Sequence, residues 1–197
     1  MDSTSRLCRG PAETGLVSGT RVETGSGWVP VETVAAGDRL YVLDGSQRQV
    51  RQVRVHSRGP EPPAWLAKGL VLVPGGALDN CEDFYLLPDT LVLLGGTAVE
   101  ALTGDSVALV RAADLVGFGG IQRAMPVDGV DLIELVFGEE EVVYANTGVL
   151  IHCPGSELGQ PERTTFPCAS ARMARALMAC RDPLAGGRPA RAVPRFG

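Results

Sequence analysis

The sequence predicts a mainly β fold of many short strands and hairpins, followed by a C-terminal helix and an extended tail. Two observations favour this fold class. Glycine and proline supply 25 and 14 of the 197 residues, so turn-forming residues interrupt short apolar runs through most of the chain. From about residue 169 strong helix formers replace that pattern. A hydrophobic fraction of 45% is enough to build a core.

The short apolar runs are the basis for the predicted strands. They lie at Thr20–Glu23, Trp28–Val31, Arg39–Leu43, Gln49–His56, Leu70–Val73, Tyr85–Leu87, Leu91–Leu94, Ser106–Val110, Leu132–Phe137, Glu141–Ala145 and Val149–Ile151. The glycines within residues 24–27 predict a hairpin between the first two strands. Gly138-Glu139 predicts a hairpin between Leu132–Phe137 and Glu141–Ala145, and Arg111–Leu115 is predicted to be a short helix closed at Gly117.

The C-terminal helix is predicted over Ala169–Cys180. Met173, Ala176, Leu177 and Cys180 are predicted to share its apolar face. A single stripe of this kind is typical of a helix that packs on its own domain.

The sequence divides into three parts on pattern and charge. Residues 1–14 predict a flexible N-terminal arm, residues 15–154 the β domain, and residues 155–197 the helix with a basic tail rich in Pro, Gly and Arg. Residues 1–154 hold 11 basic and 20 acidic residues, whereas residues 155–197 hold 7 and 3. The acidic body argues against a specific nucleic-acid partner. The basic tail is interpreted either as a solvated segment or as a contact surface.

No cofactor and no metal site are predicted. The five cysteines form no CxxC pair, and the chain has two histidines, His56 and His152. We expect reduced and mostly buried thiols. The N-terminus lacks the apolar run of a signal peptide and no stretch reaches the length of a membrane span. These features predict synthesis in the cytoplasm, with any export by a non-classical route or by assembly into a particle.

An ordered series of blocks carries a family resemblance. The blocks are Ser18-Gly-Thr-Arg-Val-Glu-Thr, Gly27-Trp-Val-Pro-Val-Glu, Ala36-Gly-Asp-Arg-Leu-Tyr-Val-Leu-Asp-Gly, Gly75-Gly-Ala-Leu-Asp-Asn, Tyr85-Leu-Leu-Pro-Asp-Thr-Leu-Val-Leu-Leu, Val107–Val116 and Glu141-Val-Val-Tyr-Ala-Asn-Thr-Gly-Val-Leu-Ile. Over residues 15–154 the chain resembles a Hint (hedgehog/intein) domain of the bacterial type common in alphaproteobacteria. The resemblance implies a Hint-like β fold.

The resemblance also implies self-processing chemistry, in which a first-residue Cys or Ser attacks the preceding carbonyl with support from histidines. In this chain the nucleophile position holds Gly15, which has no side chain. The position of a Pro-Asp-His histidine holds Thr90, and that of a late Asp-x-His histidine holds Glu140. We therefore interpret the chain as a degenerate, non-catalytic Hint domain. It would act as a structural or interaction module with a protein partner, such as further copies of itself in a surface or phage-derived particle.

Two alternatives remain. The first is a divergent self-cleaving domain that uses Cys153 with His152, or else Ser18 or Cys8. The second is a module that binds a glycan or small ligand through Trp28, Trp65 or the acidic run Glu139–Glu141, which is predicted to be a solvated hairpin tip. Only 14 residues precede Gly15, so little cargo is expected for self-cleavage.

Overall fold

The computed structural model describes residues 15–57, 67–125, 130–155 and 164–180. The predicted arm, the tail beyond residue 180, Cys8 and Trp65 lie outside them. The strands are β1 (Leu16–Val17), β2 (Arg21–Thr24), β3 (Gly27–Pro30), β4 (Arg39–Tyr41), β5 (Gln47–Gln49), β6 (Gln52–His56), β7 (Leu70–Val73), β8 (Phe84–Leu86), β9 (Leu91–Gly95), β10 (Val107–Arg111), β11 (Gln122–Ala124), β12 (Leu132–Val136), β13 (Glu141–Ala145) and β14 (Val149–Cys153). The helices are α1 (Thr97–Thr103) and α2 (Ala171–Cys180), and 3-10 turns span Val31–Thr33 and Ala112–Leu115. The predicted mainly β class is confirmed.

The strands of the described residues form three antiparallel sheets. The largest has eight strands in the order β10-β9-β14-β13-β2-β4-β5, with β3 paired to β2 beside this path. Two three-stranded sheets, β1-β12-β6 and β11-β7-β8, pack around it. The strands therefore pair across long stretches of sequence, and only some neighbours in the chain form hairpins.

Strands β9, β10, β13 and β14 of the eight-stranded sheet bury apolar residues on both faces, since successive residues of each strand point to opposite sides and both sets are apolar. One face joins the main core, which includes Val92, Val110, Val143 and Ile151. The opposite face carries a second group of buried residues, here called the outer cluster. Its members are Leu91, Leu93, Leu109, Val142 and Leu150.

The C-terminal segment covers the outer cluster and then turns around the β10 edge of the sheet. Residues 164–170, here called the strap, place Phe166 and Cys168 against the outer cluster. The backbone of Leu109 in β10 donates to the carbonyl oxygen of Pro167 at 2.8 Å, and its own carbonyl accepts from the N–H of Ala169 at 2.9 Å. Helix α2 then packs into the main core on the other side.

The predicted strand Gln49–His56 is wrong as a single element. The chain leaves one sheet after β5 and enters another at β6. Val50 is fully buried at this corner and its N–H donates to the carbonyl of Asp38, whereas the N–H of Arg51 donates to the carbonyl of Val136. Val55 is 57% exposed, so the alternating valines do not share one buried face.

The predicted hairpin through Gly138-Glu139 is also wrong. Strand β12 pairs with β1 and β6, while β13 pairs with β14 and β2. The local hairpin joins β13 to β14 through a turn in which Asn146 and Thr147 have φ values of 43° and 78°. The hairpin between β2 and β3 agrees with the prediction.

Three strands and one helix were not predicted, namely β1, β5, β11 and α1, because they are too short for a clear periodic pattern; β5 overlaps a predicted strand at Gln49 alone. In α2 the buried side chains are Ala174, Leu177 and Met178, whereas Cys180 is exposed. The predicted helix is confirmed, but its buried face is rotated by about one residue from the predicted apolar face.

The cysteines differ from the predicted set of reduced, buried thiols. Of the free thiols, Cys153 is buried, whereas Cys81 and Cys180 are exposed. Cys168 is disulfide-bonded. Sequence spacing does not reveal which thiols meet in space. In the described residues we find no helix with the length and apolarity needed to span a bilayer.

Shortening Leu177 to alanine tests whether α2 belongs to the core. Leu177 is 2% exposed, so Leu177→Ala should lower the free energy of unfolding by about 2–5 kcal/mol. Cys180→Ala, at an exposed position of the same helix, should change it by less than about 0.5 kcal/mol. Urea unfolding followed by circular dichroism measures both. Equal effects of the two substitutions would contradict the packing described above.

Candidate functional site

Gly15 lies immediately before β1, where the chain runs against β12. Leu16 pairs with Ile133 and Val17 with Leu132, and the side chain of Leu132 extends from its position toward Gly15. A Cβ atom at Gly15 would lie 2.7 Å from Leu132 Cδ1 and 3.0 Å from the carbonyl oxygen of Ile133. Such distances are shorter than a van der Waals contact. The space for a side chain at residue 15 is therefore filled by Leu132, which is 2% exposed.

Thr90 lies in the loop between β8 and β9, and this loop packs beside β1. Val17, Leu87 and Leu132 belong to one buried apolar cluster that joins the two segments. Thr90 is 5% exposed, and its hydroxyl has no hydrogen-bond partner among the described residues. An unpaired buried hydroxyl is destabilising by about 1–3 kcal/mol.

Asp89 is partly buried beside Thr90 and is neutralised by two cations. Its carboxylate lies 3.0 Å from Lys68 Nζ and 3.7 Å from Arg111 Nη1. These ion pairs connect the loop that contains Asp89 to Lys68, just before β7, and to Arg111, at the end of β10. Among the described residues, the atoms nearest to a Cβ at Gly15 belong to Leu132 and to the backbone of Ile133.

Glu140 is the centre of a second polar group, here called the carboxylate cluster, formed with His152, Thr164 and Thr165. The side chains of Glu140 and His152 are only 7% and 5% exposed. Oε1 of Glu140 lies 2.5 Å from His152 Nε2 and also accepts a hydrogen bond from the hydroxyl of Thr164. Oε2 accepts from the backbone N–H of Thr165 at 2.8 Å and from its hydroxyl at 2.7 Å.

The position of Glu140 follows from the pleat of the outer face. Val142 lies directly across from His152, and residue 140 is two positions before Val142 on the same side of the sheet. The chain beyond β14 passes very close by, since a Cβ at Gly155 would lie 2.5 Å from the carbonyl carbon of Glu139. Only glycine permits this approach of the chain to Glu139 and Glu140.

The hydrogen bonds decide the charge state of Glu140. Burial disfavours the ionised form and acts to raise its pKa. The donors from His152, Thr164 and Thr165 outweigh burial and lower the pKa of Glu140 from 4.5 to about 2. Glu140 is therefore a buried carboxylate that stays ionised throughout the physiological range.

The acidic run Glu139–Glu141 is not the predicted solvated hairpin tip. Glu139 is exposed, but the side chain of Glu141 is 13% exposed and lies 3.1 Å from Arg48 Nε. Burial, the largest influence, raises the pKa of Glu141 although Arg48 opposes it. The run leads into the paired strand β13 and does not form a free turn. The carboxylates of Glu140 and Glu141 are therefore largely buried.

Of the alternative nucleophiles, Cys153 and Ser18 lie in the described residues, and neither is hydrogen-bonded to His152. Cys153 follows His152 on β14 and so points to the opposite face, into the main core. Burial raises the pKa of Cys153 to about 12, with a further contribution from Glu141 and Glu134. Ser18 is tied to another residue, since its hydroxyl accepts from the N–H of Asp131 at 3.1 Å.

Thr164 and Thr165 were not predicted as part of any site. They stand in a turn-rich stretch without a motif, and no sequence signal connects them to residue 140, which is more than twenty positions away. Within the part of the chain described, no three His, Cys, Asp or Glu side chains converge in a way that could hold a metal ion. Trp28, the described tryptophan, is half-buried.

The fold and these blocks define a Hint domain. The Hint domain family matches residues 14–150, which is well over half of the chain. The chain therefore belongs to the Hint domain family. No curated protein matches it significantly.

Solved structures of intein-type domains have a similar fold. The solution structure of a bacterial intein-like domain from Clostridium thermocellum matches with a TM-score of 0.50 and 16% identity, over 72% of this chain and 99% of that chain. A splice-inactive variant of the AceL NrdHF class 3 split intein has a TM-score of 0.45 and 16% identity, over 73% and 99%. The MchDnaB-1 intein has 0.43 and 16%, over 70% and 98%. At this identity the first likeness supports the fold alone.

The lowered pKa of Glu140 predicts a specific loss of stability in acid. A carboxylate with a folded-state pKa of about 2 and an unfolded value near 4.5 contributes stability above pH 4.5, on the order of 3 kcal/mol, and loses it as the pH falls toward 2. Glu140→Gln should remove this part of the acid dependence. Glu141→Gln is the matched control and should retain it, because the pKa of Glu141 is shifted upward. Urea unfolding between pH 7 and pH 2.5 measures the difference, and parallel curves for wild type and Glu140→Gln would refute it.

The cysteines should differ sharply in reactivity. Because the pKa of Cys153 is about 12, almost no thiolate forms at pH 8, and its burial also excludes reagent. In native protein, alkylation by iodoacetamide should label Cys81 and Cys180 at least a hundred times faster than Cys153. Peptide mass spectrometry reads the sites, and urea-unfolded protein is the control in which Cys153 reacts. Rapid native labelling of Cys153 would show that it is accessible.

Proposed function

We propose that this Hint domain has no self-processing activity and serves as a structural or interaction module. The observation that carries the proposal is the packing at Gly15. Leu132 fills the volume in which the side chain of a first-residue nucleophile would begin. A thiol or hydroxyl at this position would need both a new side chain and a displaced core leucine.

The other two substituted positions support the same interpretation. Thr90, at the expected histidine position, is a buried hydroxyl with no partner in the described chain and cannot exchange a proton near neutral pH. Glu140, at the second such position, has two hydrogen-bond donors on each oxygen and stays ionised. Neither group titrates near neutral pH, so neither can replace a histidine as a proton donor or acceptor there.

The alternative of divergent self-cleavage finds less support. Cys153 faces the main core as a neutral thiol, and Ser18 is bonded to the backbone at Asp131. For a glycan site, the acidic run is largely covered and Trp28 is half-buried. We propose instead that partners are proteins, including further copies of this chain in a larger assembly.

Intact-mass spectrometry of the purified full-length chain tests the absence of activity. The expected result is a single species at the calculated mass after prolonged incubation, with or without hydroxylamine or dithiothreitol. Fragments that end near Gly15 or Cys153 would overturn the proposal. Native mass spectrometry of the same sample gives the oligomeric state, and a monomer that captures no protein would count against an interaction role.

Restored side chains provide the control for this experiment. Gly15→Cys should be uncleaved and destabilised by about 1–3 kcal/mol, because the new Cβ collides with Leu132. Adding Leu132→Ala should reduce the effect of the cysteine on stability. Cleavage of Gly15→Cys alone would show that the remaining residues still support catalysis.

A further inference from the structure

We propose that the strap is an intramolecular cap that prevents two copies of this chain from joining their β10 edges, and that Glu140 is the latch that holds it. The proposal goes beyond the proposed function, because it holds whether or not the chain processes itself. It rests on the outer face of the eight-stranded sheet and on the contacts of residues 164–170.

The edge that the strap covers is well suited to pairing with another strand. Strand β10 reads Val107-Ala-Leu-Val-Arg and pairs with β9 along one side only. On its other side the N–H and C=O of Leu109 both bond to the strap. Without the strap these two groups and the apolar outer cluster would face water. Such an edge is a template for association.

A second copy of β10 supplies the same two bonds. In an antiparallel pair, two opposed residues can exchange both of their N–H···O=C bonds. Two β10 strands related by a two-fold axis at Leu109 would therefore satisfy each other in the way that Pro167 and Ala169 now satisfy Leu109. The register places Arg111 opposite Val107 of the second copy, so the strand sets no like charges directly against each other.

The latch is the carboxylate cluster. Besides the disulfide at Cys168, the strap makes its two backbone bonds to β10 at Leu109, whereas three of its hydrogen-bond donors converge on the single carboxylate of Glu140. Glu140 and His152 are almost fully buried. Releasing the strap would therefore remove the Thr164 and Thr165 donors from the Glu140 carboxylate and leave it with the hydrogen bond from His152. The cap is therefore strongest at the end of the strap that is farthest from α2.

Two variants weaken the latch in different ways. Glu140→Gln removes the charge, while Thr164→Val with Thr165→Val removes the hydroxyl donors and leaves the Glu140–His152 pair intact. Glu141→Gln is the matched control, because it makes the same change one residue away, where the carboxylate bonds Arg48 instead of the strap. Hydrogen exchange of the Leu109 and Ala169 amides and the mass from light scattering at several concentrations are the two readouts. Both are taken in dithiothreitol for wild type and variants alike, so that the disulfide at Cys168 does not tie the strap.

The expected result is an exchange rate at least tenfold faster at these two amides in both latch variants, together with a species twice the wild-type mass that grows with concentration. Glu141→Gln should match wild type in both. Adding Val107→Lys to a latch variant should abolish the larger species, since the lysine would face Arg111 of the second copy. If Glu140→Gln does not fold, the same two measurements on the double threonine variant test the proposal.

Several outcomes would overturn the proposal. Unchanged exchange in the latch variants would show that Glu140 does not hold the strap. Faster exchange with an unchanged mass would show that the uncovered edge does not pair. A larger species that survives Val107→Lys would place the contact elsewhere. Cleavage in the intact-mass experiment would refute the proposed function without affecting any of these results.

Discussion

The structure depends on one constraint, which is that strands β9, β10, β13 and β14 of its eight-stranded sheet are apolar on both faces. The main core covers one face with side chains from all three sheets. The outer cluster is covered in part by Phe166 and Cys168 of the strap. Because exposed apolar area of this kind promotes association, the chain must fold back over its own sheet. The passage around the β10 edge and the insertion of α2 into the main core both follow from that requirement.

Glu140 shows how a buried charge can organise a segment that has little regular structure. A carboxylate accepts hydrogen bonds and donates none when ionised, so each lone pair needs a donor. Here the donors are His152 on the sheet and two adjacent threonines on the strap. The interaction is directional, unlike the packing of Phe166, and it fixes where along the sheet the strap lies. Packing and the hydrogen bonds to Glu140 both hold the strap, and the direction of those bonds also fixes its register.

Local patterns predicted the strands but not the way in which they assemble. Most strand positions follow from apolar runs bounded by glycine and other turn residues, and the resemblance gave the fold. The corner at Val50 and the separation of β12 from β13 depend on partners far away in the sequence, which alternation cannot reveal. The carboxylate cluster could not be predicted for the same reason, because Glu140 and the two threonines are far apart in the sequence. Nothing in the sequence around Thr164 and Thr165 indicates a buried glutamate, and a run of three acids is ordinarily solvated.

The packing of Leu132 against Gly15 bears on whether the domain can carry out chemistry at this position. A residue that carries chemistry needs space around it for a substrate, whereas a core residue needs that space filled. At Gly15 the absence of a Cβ lets β1 approach β12 until Leu132 occupies the volume of a side chain. If the domain is a scaffold, as proposed, glycine at this position removes a nucleophile and tightens the core in one step. Restoring chemistry would then require opening the packing first, so selection for stability alone would keep the site closed.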